Sequence, residues 1–185
     1  PIHKNLVDGI VITNGSPEKL QLDKLAFYVE KVKLKTAYKI NFTEVNEIFV
    51  QEGFQVAEPG ALIYATETLY LNPKNKDRVE VVLPENFYLP ATKKMFVWIQ
   101  LLEYYDENGK EVTPELDQRT KIKFQMSNKV NYYARMVNAH TGELSVHIIN
   151  SNRMLNNDYA RLFFDTPHKS NLVAPAIVLY AQKVD

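Results

Sequence analysis

The chain has no cysteine among its 185 residues, which excludes a disulfide framework, a thiolate metal site and a cysteine nucleophile. It has only six glycines, and neither a Walker loop nor a Gly-x-Gly-x-x-Gly fingerprint occurs, so no phosphate-cradling loop is expected. Apolar runs long enough to cross a bilayer are also missing, so no membrane span is expected. These absences argue against thiol chemistry, nucleotide binding and integral membrane insertion.

The chain also lacks a net charge of either sign, because 22 basic residues balance 22 acidic ones. A nucleic-acid binder needs a basic face that neutralises phosphates and displaces their counterions, so nucleic acid is not an expected partner. One stripe of lysines along two predicted strands leaves two interpretations open. It contacts an acidic polymer or lipid headgroups, or it is a solvated face or a lysine-protected edge that blocks strand-to-strand aggregation. The stripe consists of Lys31, Lys33, Lys35 and Lys39.

Alternation of apolar and polar residues dominates the sequence, most clearly between residues 25 and 43. There Leu25, Phe27 and Val29 alternate with less apolar neighbours, the pattern of a strand with one buried and one wet face. Eleven tyrosines and nine phenylalanines suit strands more than helices. Similar runs bounded by turn residues give about a dozen short strands. They recur at residues 9–13, 61–71, 78–83, 95–104, 121–126, 129–137, 144–149, 159–164 and 173–181.

This pattern predicts an all-β fold, namely an antiparallel β-sandwich with a jelly-roll-like topology, and a closed barrel is the alternative. Asn108-Gly109 and Thr141-Gly142 are expected at hairpin tips. Only residues 44–53, EVNEIFVQEG, are expected to hold a helical turn. No internal segment has the composition of a linker and no repeat is visible. We therefore interpret residues 1–185 as a single β-sandwich domain.

The only tryptophan, Trp98, lies in a long apolar run, MFVWIQLLEY, at residues 95–104. In a strand, Trp98 shares a face with Phe96, while Val97 and Ile99 occupy the opposite face. A strand that is apolar on both faces is typical of a central strand covered on both sides. We therefore interpret Trp98 as part of the packing rather than as a ligand platform.

Two segments resemble a known module: LAFYVEKVKLKTAYKINFTEVN at residues 25–46 and RVEVVLPENFYLPATKKMFVWIQLLE at residues 78–103. They are similar to a jelly-roll sandwich found in surface and outer-membrane-associated proteins of Bacteroidetes. Arg78 stands where that family tends to have tryptophan, and Trp98 is shifted toward the start of its strand. The matching positions are Phe27, Phe42, Val79, Val81, Leu83, Asn86, Tyr88, Leu89, Pro90, Phe96, Val97, Ile99, Leu102 and Glu103.

The resemblance implies a non-catalytic binding module at the cell surface or in the periplasm, with a glycan or an envelope protein as its partner. Residues 1–15 lack the pattern of a signal peptide. Because the chain begins at proline, we interpret it as a processed or trimmed form from which an export signal could have been lost. The first alternative is an assembly subunit of a larger envelope complex. The second is a carbohydrate-active enzyme, which would need two facing carboxyl groups, with candidates Glu67, Glu80, Glu103 and Asp165.

Adjacent tyrosines indicate where a ligand could bind. Tyr104-Tyr105 and Tyr132-Tyr133 each place one ring on either face of a strand, so that one can pack in the core while the other meets solvent. Exposed aromatic rings stack on the apolar faces of sugars or anchor protein interfaces. The predicted ligand-binding residues are Tyr105, Tyr133, Arg135 and Tyr159, with ordinary sheet residues as the alternative.

No cofactor is predicted, although one turn leaves calcium as a possibility. Asp106, Asn108 and Glu111 in DENGKE supply oxygen ligands at a spacing similar to that of calcium loops, but flanking acids are also ordinary at an Asn-Gly hairpin tip. A second group, in HTGELSVH at residues 140–147, has two histidines and a glutamate, which are zinc ligands. On the expected hairpin these three side chains do not converge.

Overall fold

The computed structural model describes residues 7–51, 54–74, 77–126, 132–134, 148–150 and 173–184. Within these ranges the secondary structure is almost entirely strand, and the one helical element is a short 3-10 turn at Leu116–Gln118. The strands are β1 (Val7–Thr13), β2 (Leu20–Lys31), β3 (Lys35–Gln51), β4 (Phe54–Ala65), β5 (Leu69–Leu71), β6 (Asp77–Val82), β7 (Tyr88–Leu89), β8 (Lys94–Tyr105), β9 (Glu111–Val112), β10 (Lys121–Ile122), β11 (Phe124–Met126), β12 (Tyr132–Ala134), β13 (Ile148–Asn150), β14 (Val173–Pro175) and β15 (Ile177–Lys183).

Two antiparallel sheets pack face to face, which confirms the predicted all-β sandwich. The larger sheet has the order β5-β3-β4-β13-β12-β1-β8-β9, and β3 also pairs with β8. The smaller sheet is built around β2, which pairs with β15 and β10 and with β6 and β7. The strand order does not establish a jelly roll, so that topology stays a prediction. Among the described residues no helix has the length and apolarity that crossing a membrane would require.

The core lies between the sheets and is built from the inward residues of β2, β3 and β8. Phe27 of β2 meets Tyr38 of β3 edge to face, with ring centroids 5.5 Å apart. Phe42 of β3 contacts Phe87 in the same geometry at 5.0 Å. Burying each such side chain contributes roughly 1.5–3 kcal/mol before entropic costs. The alternation predicted between residues 25 and 43 is therefore what builds the core.

Strand β8 is buried on both faces, as its sequence predicts. Val97 and Ile99 belong to the inter-sheet core, whereas Phe96 and Trp98 lie on the other face, buried and stacked with centroids 6.1 Å apart. Gly9 of β1 permits this packing, because a Cβ there would lie 2.6 Å from the Trp98 Cβ. Trp98 is thus confirmed as a packing residue.

The expected helical turn at residues 44–53 is wrong. Strand β3 continues to Gln51, which pairs with Phe54 at the start of β4. A long antiparallel ladder between these two strands overrides the local helical preference, because strand formation depends on cross-strand partners more than on intrinsic propensity. Residues 52 and 53 lie outside the described ranges.

Candidate functional site

A β-bulge near the end of β8 decides which tyrosine faces solvent. Tyr38 of β3 pairs with Leu101, but Thr36 pairs with Tyr104, so β8 contains one extra residue between these pairs. Because side chains alternate between faces, one extra residue exchanges the two faces of the strand beyond it. Tyr104 is therefore buried and Tyr105 points outward, which confirms the expectation that this adjacent pair divides between core and surface.

Tyr105 lies beside a second outward tyrosine on the same sheet. Tyr70 of β5 pairs with Ala37 of β3, and Tyr105 of β8 pairs with Lys35 of β3. The two rings are tilted by 57° with centroids 6.4 Å apart, and Tyr70 is 48% exposed. The Lys35 ammonium lies 4.6 Å from the centre of the Tyr70 ring. Three adjacent strands thus present two aromatic rings and a cation on one face.

Tyr105 also lines a groove at this edge of the sheet, with a volume of about 630 Å³. We call it the tyrosine groove. Its walls combine the apolar Leu34 and Pro73 with polar and charged side chains of both signs. The polar and charged members are Lys33, Lys35, Asn72, Asp106 and Glu107. Its volume lies within the range of small-ligand sites, and most of its lining is polar or charged.

Several side chains in and beside the groove form hydrogen bonds or ion pairs within the chain. The Tyr105 hydroxyl donates to Glu103 Oε2 at 2.6 Å, and this hydrogen bond is the main reason that the pKa of Tyr105 is raised to about 12. Tyr105 therefore stays a neutral phenol at physiological pH. Lys33 forms an ion pair with Asp117 at 3.3 Å, and Lys31 donates to the backbone carbonyl of Asp117 at 2.7 Å. Two members of the lysine stripe thus already have partners within the chain.

The predicted calcium residues form a tight hairpin tip. Asp106 Oδ1 accepts hydrogen bonds from the backbone N–H groups of Asn108, at 2.9 Å, and Lys110, at 3.0 Å. Gly109 adopts a positive φ of 79°, which glycine tolerates without a steric cost. The Asp106 carboxylate therefore stabilises its own turn between β8 and β9. In the described part of the chain no cluster of three or more acidic, histidine or cysteine side chains is placed to hold a metal.

The other predicted ligand residues lie elsewhere. Tyr133 of β12 pairs with Ile10 of β1, which pairs with Val97 of β8. The stretch of β8 from Val97 to Tyr105 corresponds to about 25 Å at the usual rise per residue, so Tyr133 and Tyr105 do not share a site. Arg135, Tyr159 and Asp165, the histidines of HTGELSVH and the expected Thr141-Gly142 tip lie outside the described residues.

Sequence reasoning missed Tyr70, although a local signal was present. Leu69 and Leu71 flank it, and both pack toward the core, so alternation places Tyr70 on the outer face. The short strand was hidden within the predicted run 61–71, which the structure divides into β4 and β5. Its position next to Tyr105 depends on sheet pairing that no local pattern reveals.

A third outward tyrosine, Tyr180 on β15, has a different environment. It is 37% exposed, and the cations of Lys24 and Arg78 lie 4.6 and 5.5 Å from its ring centre. Arg78 also donates hydrogen bonds to the Tyr180 hydroxyl and to Glu80. The hydrogen bond from Arg78, followed by one from Lys24, lowers the pKa of Glu80. Two cations therefore lie at the Tyr180 ring, whereas among the described residues Tyr70 has only Lys35 at its ring.

No family model matches this chain, and neither a curated protein nor a solved structure is significantly similar to it. The likeness to Bacteroidetes surface modules accordingly stays a prediction. Function has to be inferred from the groove itself.

Proposed function

We propose that this chain is a non-catalytic carbohydrate-binding module, placed at the cell surface or in the periplasm, and that the tyrosine groove is its binding site. The observation that carries the proposal is the Tyr70–Tyr105 pair, with centroids 6.4 Å apart beside a groove of about 630 Å³. Aromatic rings offer sugars a flat apolar surface together with a polar hydroxyl. The assignment to the cell envelope depends on the resemblance of the sequence alone.

The charges of the groove favour a neutral glycan. Lys33 and Lys35 are balanced by Asp106 and Glu107 along the same walls, so neither an anionic nor a cationic polymer gains a net Coulombic attraction there. Polar groups of both kinds, donors and acceptors, are suited to the hydroxyl groups of a sugar ring. We expect one sugar to stack on Tyr70 or Tyr105 while its hydroxyls contact these polar side chains.

Two carboxylates at this end of the sheet support binding without turnover. Glu103 accepts a hydrogen bond from the Tyr105 hydroxyl, and Asp106 accepts hydrogen bonds from two backbone N–H groups of its own turn. Glycoside hydrolysis needs one carboxyl group to protonate the leaving oxygen and another to activate water or attack the sugar. Glu103 and Asp106 are therefore poor candidates for either role, and Glu107, the other acid in the groove lining, is a single carboxylate where the reaction needs two.

A glycan array tests the proposal. The protein is applied to immobilised neutral and acidic glycans, and the retained glycans are then incubated with it in solution while released reducing ends are measured. We expect retention of at least one neutral glycan without release of reducing ends. Absence of retention on every glycan would contradict the binding proposal, and release from a retained glycan would favour the carbohydrate-active enzyme instead.

An assembly role is the second candidate, and one observation favours it. Leu62 and Ile63 on β4 are 62% and 43% exposed, although large aliphatic side chains are usually buried. Adjacent exposed aliphatic residues on a strand are typical of a surface that pairs with another chain. This candidate uses a different region from the tyrosine groove, so one chain can have both properties.

A further inference from the structure

A second groove lies at the start of β8, at the opposite end of that strand from the tyrosine groove. It has a volume of about 560 Å³, which is within the usual range for small-ligand sites. Strands β3, β4 and β8 contribute to its lining, as does the connection between β7 and β8. We call it the β7–β8 groove. Its apolar lining residues are Val45, Ile63, Leu89, Pro90 and Met95.

The apolar part of the β7–β8 groove reaches from the surface to the core. Leu89 and Met95 are buried and belong to the inter-sheet core, whereas Ile63 is 43% exposed. An aliphatic group that enters the groove contacts these side chains and leaves water, which is favourable because apolar surface is buried on both partners. The groove therefore favours a ligand with an aliphatic group.

One wall of the β7–β8 groove is held in place by a buried asparagine. Asn14 is 1% exposed, and its side-chain amide donates hydrogen bonds to the backbone carbonyls of Leu89 and Pro90, both at 3.2 Å. Its backbone N–H donates to the carbonyl of Lys93 at 2.9 Å. A wall that is fixed in this way loses little conformational entropy when a ligand binds.

The charged lining residues are two lysines and one glutamate, Lys93, Lys94 and Glu44. Lys94 already interacts with another group of the chain. Glu44 and Lys93 are both exposed, and in the described part of the chain neither side chain forms an ion pair or a hydrogen bond. The groove thus offers an acid and a base that do not neutralise each other, so a ligand with both an ammonium and a carboxylate group is complementary to it.

We propose that the β7–β8 groove binds a small zwitterion with an aliphatic side chain, the chemistry of an aliphatic amino acid or of a short peptide with free ends. The ligand carboxylate pairs with Lys93, its ammonium group pairs with Glu44, and its side chain packs against Ile63 and Met95. Because Glu44 and Lys93 are exposed, each ion pair is weak, and we expect a dissociation constant of roughly 1–10 mM. The site is separate from the tyrosine groove, so it does not depend on the glycan proposal.

An NMR titration of the isotope-labelled full chain tests the proposal, with leucine and leucyl-leucine each added to roughly 20 mM. We expect saturable shifts of the backbone amide signals of Glu44, Ile63 and Lys93, and no shift of the Tyr105 amide. The ligand with the lower dissociation constant shows whether the groove prefers an amino acid or a peptide. Absence of saturable shifts with both ligands would overturn the proposal.

Analogues of the tighter ligand test whether both charges and the side chain are needed. The N-acetylated form lacks the ammonium group, the amidated form lacks the carboxylate, and the glycine counterpart lacks the aliphatic side chain. Each analogue should bind at least about twofold more weakly than the parent ligand. Equal binding of the acetylated or the amidated form would show that the ligand is not recognised as a zwitterion.

Substitutions in the groove test the two charged contacts. Glu44→Gln and Lys93→Gln should each weaken binding by about two- to fivefold. The matched control is Lys110→Gln, which changes an exposed lysine in the turn after β8 and should bind like the wild type. All three substitutions change exposed side chains, so the dispersion of the amide signals should be retained. Unchanged affinity in either groove variant, or an equal loss in Lys110→Gln, would refute the assigned contacts.

Discussion

The two ends of β8 carry aromatic side chains with opposite roles. Near its start, Trp98 stacks on Phe96 and is buried against Gly9 of β1. At its end, Tyr105 lies beside Tyr70 with the two rings tilted, and it lines an open groove. The Trp98 ring is covered by neighbouring parts of the chain, whereas the bulge in β8 turns Tyr105 outward. Aromatic residues in one strand can therefore serve packing at one end and recognition at the other.

The Trp98 and Tyr105 side chains differ in their hydrogen bonding. Within the described chain, neither the Trp98 indole N–H nor the Thr43 hydroxyl has a hydrogen-bond partner. An unpaired buried donor costs roughly 1–3 kcal/mol, so the packing of the indole ring has to outweigh this penalty. The Tyr105 hydroxyl, in contrast, has Glu103 as its partner. The comparison predicts effects on stability at one end and on binding at the other.

The largest expected effect is that of Trp98→Ala. Removing a large buried aromatic side chain leaves a cavity and destabilises a protein by about 3–5 kcal/mol. Trp98→Phe should cost much less, because it keeps most of the ring and removes the unpaired donor. Urea unfolding followed by circular dichroism measures both. Tyr105→Ala is the control, and its free energy of unfolding should change by less than about 1 kcal/mol. Equal losses of unfolding free energy in Trp98→Ala and Tyr105→Ala would contradict the assignment of packing to one end of β8 and recognition to the other.

Gly9→Ala should produce the next largest effect at the buried end. An added Cβ would meet the Trp98 Cβ and the Val97 carbonyl oxygen, both at 2.6 Å. Overpacking of this kind costs about 1–3 kcal/mol. Gly15→Ala is a matched control, since nothing lies within 4 Å of a Cβ there. Thermal unfolding should show a lower midpoint for Gly9→Ala alone, and equal midpoints for the two variants would contradict close packing of β1 on Trp98.

At the open end, Tyr105→Ala and Tyr70→Ala should each weaken binding of a retained glycan by about five- to tenfold, which corresponds to roughly 1–1.4 kcal/mol of lost stacking. Calorimetric titration measures this change. Tyr180→Ala should bind like the wild type, because its ring lies on the other sheet beneath Lys24 and Arg78. A loss of affinity in Tyr180→Ala with none in Tyr105→Ala would move the site to the smaller sheet.

The smallest effect concerns alkaline pH. The pKa of Tyr105 is raised to about 12 by its hydrogen bond to Glu103, and that of Tyr38 to about 12 by burial, from a usual 10.0. Because both folded-state values are raised, the stability from the neutral phenols is complete below pH 10 and lost as pH rises toward 12. Ultraviolet titration should therefore show late-ionising tyrosines.

Glu103→Gln replaces the charged acceptor of the hydrogen bond from the Tyr105 hydroxyl with a neutral amide oxygen, so one late phenol should ionise at a lower pH in this variant. Tyr105→Phe should lose one late phenol altogether. If Glu103→Gln leaves the titration unchanged, the hydrogen bond does not control Tyr105.

The sequence predicts the regular parts of this molecule better than its site. The alternation through Phe27 and Phe42 predicted the core, and the doubly apolar run around Trp98 predicted a covered strand. The bulge in β8 could not be predicted, because it shows only as a mismatch between two paired strands. The neighbourhood of Tyr70 and Tyr105 likewise depends on β3 lying between β5 and β8, a long-range arrangement that local periodicity does not contain.

The most direct test of the central claim is an NMR titration of isotope-labelled protein with the glycan that an array retains most strongly. The chain has a single tryptophan, so one indole N–H signal reports on the buried end of β8, while labelled tyrosine rings report on the open end. We predict that the Tyr70 and Tyr105 signals shift with added glycan and that the Trp98 and Tyr180 signals do not. Shifts at Trp98 or Tyr180 without shifts at Tyr70 and Tyr105 would contradict the account.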